Sequence, residues 1–250
     1  MHYLINDIYF EKILNFLKQV KSIHKKNTER LRCFIEAVYY LCRTGCQFRM
    51  LPFYYGSWRA IHKRFKEWSD RGIWERMFNY FQQNPDLEWV MIDATIVRAH
   101  ACSAGYEKNS QKKEALGRSK GGFTTKIHAL TDALGNPLRF ILTSGQRHDI
   151  TQAKLLCENI NASALIGDKG YDSNDFVQSL KNQNCEPHIP SKSNSKQPRF
   201  YDKDLYKERH AIECFFGKIK HFRRIFSRFD KTARSFLAFL YFAGVLIWIR

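Results

Sequence analysis

Residues 87–99 read LEWVMIDATIVRA, an apolar run with a carboxylate, Asp93, set deep inside it. A stretch of this length, rich in β-branched residues, predicts a strand buried on both faces. An ionised carboxylate belongs in such a place only when it is paired or bound to metal. Downstream, Thr124–Thr131 and Leu138–Thr143 flank DALGNP, whose Gly135, Asn136 and Pro137 are turn residues, so these segments predict a hairpin. A helix over Ile150–Asn159, a strand over Ala164–Gly167, a helix over Asn174–Asn184 and a short strand at His188–Ile189 follow. Strands first and helices interleaved later predict an α/β domain built on a mixed sheet. Two polar stretches, Ser103–Gly122 and Ser191–Pro198, are expected to be surface loops.

Upstream of the strand, QQNPD (Gln82–Asp86) is a polar turn and marks the expected boundary between regions 1–85 and 86–250. The first region has helical periodicity over Tyr9–Val20 and Thr28–Leu41, with Asn27 or Thr28 as N-cap, and again over Ser57–Trp68. The last of these puts Trp58, Ile61, Phe65 and Trp68 on one stripe, with Arg59, His62, Lys63, Arg64 and Lys66 around it. A basic helix face is what a helix-turn-helix reader offers to DNA; a solvated basic face is the alternative for any single charge.

Charge supports the DNA reading. The 250 residues carry 41 Lys and Arg against 24 Asp and Glu, a net +17. Residues 1–85 account for +8 and 201–250 for +6, while the middle is nearly balanced. Such an excess attracts a polyanion. At 44% hydrophobic and 15% aromatic, the chain is too apolar to be disordered. Seven cysteines without a CxxC pair, in a chain that starts without a leader pattern, suggest reduced thiols and a cytoplasmic location. Cys42 with Cys46, and Cys185 with His188, lack the second pair a zinc site needs. The apolar run Ser235–Ile249 is shorter than the roughly 20 residues of a membrane span, so a core helix is expected and no membrane partner.

Two further acids complete a candidate centre. Asp168 ends the strand ALIGD, at the carboxyl end of a sheet strand where α/β proteins place their sites. In a helix expected from near Asp202, Tyr206, Arg209, Glu213 and Lys220 have offsets that put all four within roughly 60° of arc. Ile212, Phe216 and Ile219, with Phe215 nearby, make its core side. Carboxylates from two strands and a helix can hold two hard divalent cations about 3.5–4 Å apart, the arrangement that attacks phosphodiesters. Magnesium suits it, and Arg209 and Lys220 would meet phosphates. For each acid alone, a salt bridge or a helix cap is the plainer explanation; the three together are harder to explain that way.

The chain resembles bacterial insertion-sequence transposases with a DDE triad, of the insertion-sequence-five family and relatives marked by Tyr-x2-Arg-x3-Glu-x6-Lys. The likeness is carried by RTGCQFRMLP (43–52), GSWRAIHKRFKEW (56–68) and GIWERMF (72–78). It continues in MIDATIVRAH, in the stretch GGFTTKIHALTDALGNPLRFILTSGQRHD (121–149), and in LIGDKGYDS, YKERHAIECFFGKIKHFRR and RFDKTARSFLAFL. Where the family pattern commonly has Trp, this chain has Phe48.

The resemblance implies an RNase H-like fold with helices flanking the mixed sheet, preceded by a small helical DNA-binding region. It implies Asp93, Asp168 and Glu213 as catalytic metal ligands for Mg2+ or Mn2+, two ions in all. Tyr206, Arg209 and Lys220 would position DNA, with Lys169 and His148 as helpers; His148 could instead cap the following helix. The implied reaction is cleavage at terminal inverted repeats and transfer of the 3′-hydroxyl into target DNA, by a homodimer on double-stranded DNA in the bacterial nucleoid. The competing readings are a nuclease of the same fold that cuts without joining, and an inactive DNA-binding remnant.

Overall fold

The computed structural model describes residues 4–21, 23, 27–104, 113–119, 122–195 and 198–250. Helices α1 (Asp7–Gln19), α2 (Thr28–Thr44), α3 (Trp58–Asp70) and α4 (Ile73–Phe81) come first. Then follow β1 (Trp89–Ala99), β2 (Gly117–Ser119), β3 (Gly122–Thr131), β4 (Pro137–Ser144), α5 (Ile150–Leu156), β5 (Ala164–Gly167), α6 (Asn174–Lys181) and β6 (Glu186–His188). The last helices are α7 (Lys203–Lys207), α8 (His210–Lys220), α9 (Arg223–Phe226) and α10 (Ala233–Trp248). Contacts group Met1–Gln83, His100–Tyr106 and Ile219–Arg250 into one unit, and Asn84–Ala99 with Glu107–Lys218 into another.

In the helical unit, the side chain of Asn27 caps α2 by accepting from Arg30 N at 2.8 Å, and Gly45 ends that helix at φ +70°. α3 buries Ile61, Phe65 and Trp68, the stripe read from the sequence. The apolar C-terminal run is α10, and it supplies the other half of this core. Phe239 stacks on Phe65 at 4.4 Å, Phe242 meets Trp74 edge-on at 5.5 Å, and Tyr241 lies 5.3 Å from Phe78. These aromatic pairs explain why 219–250 groups with the N-terminal helices, although the sequence suggested a single cut near residue 85. No helix of the described residues is long and apolar enough to cross a membrane.

The basic C-terminal segment is partly internal to this unit. Arg224 and Arg228 are buried; Arg224 makes two hydrogen bonds to the Asp230 carboxylate and lies over the Phe48 and Phe239 rings. Phe48 itself packs against His62 and Phe65. Two of the charges that a sequence count assigns to DNA are therefore structural.

The sheet unit is a mixed α/β layer. β3 pairs antiparallel with β1 on one edge; on the other it pairs with β4 over Thr125–Thr131 and with β2 over 122–124. On the far side of β1, β5 and then β6 run parallel. Ladder partners share a face and successive residues alternate. Ile92, Leu130 and Ile141 thus face one way, into a core with Ala153 and Leu156 of α5 and Phe176 and Leu180 of α6. Asp93, Ala129 and Phe140 face the other way, where Phe140 stacks at 6.0 Å on Phe215 of α8.

Three local expectations change. Within the stretch 103–122, Leu116 is buried and β2 forms; residues 105–112 and 120–121 of that expected loop lie outside the described residues, as do 196–197 of the second. The helix expected from Asp202 onward is broken. Bonds from Glu208 N to Leu205 O, Arg209 N to Tyr206 O and Ala211 N to Glu208 O are all i to i−3, so a tight turn separates α7 from α8. Finally, α4 stands where only a motif was recognised.

Candidate active site

β1 delivers Asp93. Its side chain is 18% exposed, and Oδ1 accepts the Ala94 N–H at 2.7 Å. Burial raises its pKa from the ordinary carboxylate range to about 6, against the pull of that hydrogen bond and of Arg209, with Asp168 and Asp149 adding repulsion. The last β1–β5 pair is Ile92 with Gly167, so one further residue on each strand brings Asp168 level with Asp93 and onto the same face. Asp168 is held by its own turn, Oδ1 accepting from Gly170 N at 2.8 Å. Gly170 has reason to lack a side chain, since a Cβ there would stand 2.8 Å from that oxygen.

α8 delivers Glu213 over a buried side of Ile212, Phe215, Phe216 and Ile219, as the spacing predicted. Glu213 itself is exposed. Arg209, in the turn before α8, joins the two elements. Its Nη1 donates to Glu213 Oε1, and its Nη2 lies 3.4 Å from Asp93 Oδ2. Tyr206, on α7, packs edge-on against Tyr201 at 5.4 Å. Burial raises the Tyr206 hydroxyl pKa, and the charges of Arg209, Asp168 and Asp93 all reach it.

Arg209 thus touches both Asp93 and Glu213, and Asp168 and Tyr206 lie within electrostatic reach. Lys169 is exposed on the turn after Asp168. Lys220 ends α8 and groups by contacts with the helical unit. His148 is exposed; Asp149 is the N-cap residue of α5, and the His148 carbonyl accepts the Thr151 hydroxyl at 2.7 Å. On α3, Arg59 and Lys63 are exposed, while Arg64 is half-buried over the Phe34 ring at 5.2 Å.

One cluster escaped the sequence reading. On the opposite face of β3, Lys126 pairs with Asp149 at 2.7 Å, and buried His128 holds the Thr143 hydroxyl at 2.7 Å. His128 Nδ1 and the Tyr171 hydroxyl are buried without hydrogen-bond partners. Burial depresses the His128 pKa to about 4. Alternation along TTKIHALT could have flagged Lys126 and His128 as polar residues on a core face.

The donors are hard carboxylate oxygens, the chemistry that suits magnesium or manganese, and a cationic guanidinium already joins two of them. Among the described residues, no three His, Cys, Asp or Glu side chains are gathered closely enough to hold a metal ion as they stand.

Two family models match this chain. The family described as "Transposase DDE domain" matches residues 85–248, and "Putative transposase of IS4/5 family" matches residues 5–78. The chain belongs to the DDE-domain transposases. Among its relatives is "Putative transposase for insertion sequence element IS6501" of Brucella ovis, 40% identical over 131 residues that cover 51% of this chain and 99% of that one. "Putative transposase for insertion sequence element IS402" of Burkholderia cepacia is 31% identical over 135 residues, 49% of this chain and 62% of that one. Among solved structures, a piggyBac transposase synaptic complex with hairpin DNA aligns with a TM-score of 0.42 at 13% identity. That alignment covers 78% of this chain, which spans half the length of the piggyBac chain. A pre-cleavage Mos1 transpososome aligns with a TM-score of 0.30 at 11% identity, covering 84% and 83% of the two chains.

Proposed function

We propose that this transposase cuts DNA at the terminal inverted repeats of an insertion sequence and joins the freed 3′-hydroxyl to target DNA, with Asp93, Asp168 and Glu213 as its catalytic carboxylates. One observation carries the reading: Asp93 from the sheet and Glu213 from α8 converge on one guanidinium, with Asp168 level with Asp93 on the next strand. Bound between these carboxylates, two divalent ions would activate the attacking hydroxyl and stabilise the leaving 3′ oxygen.

The chain's own residues do the rest. Asp93 holds one oxygen toward Ala94 N and leaves Oδ2 for the site; Asp168 is pinned by its turn in the same way. Arg209 and Tyr206 flank the carboxylates and would take the neighbouring phosphates, as would Lys169 and Lys220. Arg59 and Lys63, exposed on α3, offer charge to the repeat DNA; Arg64 is committed in part to Phe34. Two ends joined at one target need two such sites, so the working assembly is a homodimer on DNA, acting in the bacterial cytoplasm at the nucleoid.

The test follows labelled duplexes carrying the element's ends in Mg2+, with a supercoiled plasmid as target. Joined products support the proposal. Cut ends that never join favour a nuclease, and binding without cutting favours an inactive remnant.

A further inference from the structure

Arg209 is the most contested group in the centre. One guanidinium serves a carboxylate from β1 and another from α8, at 3.4 Å from Asp93 Oδ2 and in direct contact with Glu213 Oε1. Its remaining nitrogen, Nε, is buried with no hydrogen-bond partner. An unsatisfied buried donor is costly, so the side chain is held by two charges and not by a complete set of hydrogen bonds. The planar fork that fits a carboxylate fits a phosphate equally well.

We propose that Arg209 is an exchangeable counter-ion: it sits between Asp93 and Glu213 where a divalent ion must enter, and it moves to a DNA phosphate when the ion binds. This rests on the reading that these carboxylates ligate metal. The site then loads its two ligands together. A phosphate that draws Arg209 away frees both carboxylates for the ion, and an ion that displaces Arg209 presents the guanidinium to the phosphate. Linkage makes the two effects equal in size, so metal tightens DNA binding by the factor by which DNA tightens metal binding. Without DNA, the guanidinium competes with the metal and weak loading is expected.

Mn2+ binding to the 250-residue chain, followed by electron paramagnetic resonance of the free ion, tests this without an activity assay. Without DNA, Arg209→Ala is expected to bind Mn2+ about 5- to 150-fold tighter than the natural chain, the usual range for a coupling between sites. Arg209→Lys, which keeps the charge but cannot bridge both carboxylates, should fall between them. Adding duplex DNA should tighten Mn2+ binding far more in the natural chain than in Arg209→Ala. The proposal is overturned if Arg209→Ala binds no tighter, or if Arg209→Lys matches the natural chain while Arg209→Ala alone tightens, since charge without displacement would then suffice. Asp93→Asn and Asp168→Asn separate the two levels. If they still bind Mn2+, the metal-site reading fails; if they lose it and the Arg209 variants show no gain, only the exchange fails. Matching circular dichroism spectra and melting curves establish that each variant is folded.

Discussion

Gly135, in the β3–β4 hairpin, approaches α8 so closely that a Cβ there would stand 3.0 Å from the carbonyl oxygen of Ala211. It also has φ +78°, a conformation that other residues adopt at a cost. The turn around it is fixed by Asp132, which is fully buried and accepts from the backbone N–H groups of Leu134, Asn136 and Asp86. The hairpin thus supports the start of the helix that carries Glu213. Gly135→Ala is expected to destabilise the sheet unit by about 1–3 kcal/mol through strain and contact, and to lower DNA cleavage by displacing Glu213. Urea denaturation and single-turnover cleavage measure the two effects.

A second prediction concerns pH. His128 is fully buried with its pKa depressed by burial to about 4, from 6.5 in the unfolded chain; Asp149 opposes the shift and Lys126 adds to it. Between those values the unfolded state binds the extra proton, so this residue's contribution is lost as pH falls from about 6.5 to 4 and changes no further below that. The loss amounts to at most about 3 kcal/mol at 1.36 kcal/mol per pKa unit. Asp93, with a raised pKa, has the opposite slope between 3.8 and about 6. The natural chain is therefore compared with His128→Asn, which should show a flatter loss of stability across pH 4–6.5; equal slopes would refute the assignment.

The third prediction lies in the helical unit. Arg224 and Asp230 are both buried and make two hydrogen bonds to each other, and Arg224 also donates to the Cys46 carbonyl at 2.8 Å. Removing one partner strands the other charge away from water. Asp230→Ala is expected to cost about 3–5 kcal/mol, read from urea denaturation, whereas exposed Lys63→Ala should be within about 0.5 kcal/mol of the natural chain.

Sequence pattern carried much of this architecture. β1, the hairpin and β5 were legible because apolar runs ended in turn residues, and Asp93 stood out because that run held no other acid in its interior. The spacing of Tyr206, Arg209, Glu213 and Lys220 singled out four polar residues on the assumption of one continuous helix, whereas Tyr206 lies on α7, Arg209 in the turn, and Glu213 and Lys220 on α8. The break at Glu208–Arg209 was not legible, since a tight turn of i to i−3 bonds leaves the apolar spacing on either side undisturbed. α4 was hidden for a different reason: in IWERMFNYF it buries Ile73, Trp74, Met77 and Phe78 over only two and a half turns. The burial of Arg224 and Arg228 depends on which aromatic faces meet across distant segments, and charge counting cannot supply that. The contact between Arg209 and Asp93 spans 116 residues and is equally invisible to spacing.

A fourth prediction separates phosphate contacts from packing on α3. If Arg59 and Lys63 each neutralise one phosphate, replacing either with Ala lowers the slope of log affinity against log salt by about 1. Arg64→Ala should instead lower stability through its lost contact with Phe34. Fluorescence anisotropy with a labelled duplex at several salt concentrations provides the slopes; unchanged slopes for Arg59 and Lys63 would move the DNA contacts elsewhere.

The most direct measurement of the central claim is Mg2+-dependent cleavage of labelled DNA bearing the element's ends, by the natural chain and by Asp93→Asn, Asp168→Asn and Glu213→Gln. Each variant should bind that DNA within a few-fold of the natural chain and lose at least about 100-fold in cleavage rate, the scale expected when a group stabilising transition-state charge is removed. Cleavage at the natural rate by any one of the three would contradict the assignment of that carboxylate to the catalytic centre.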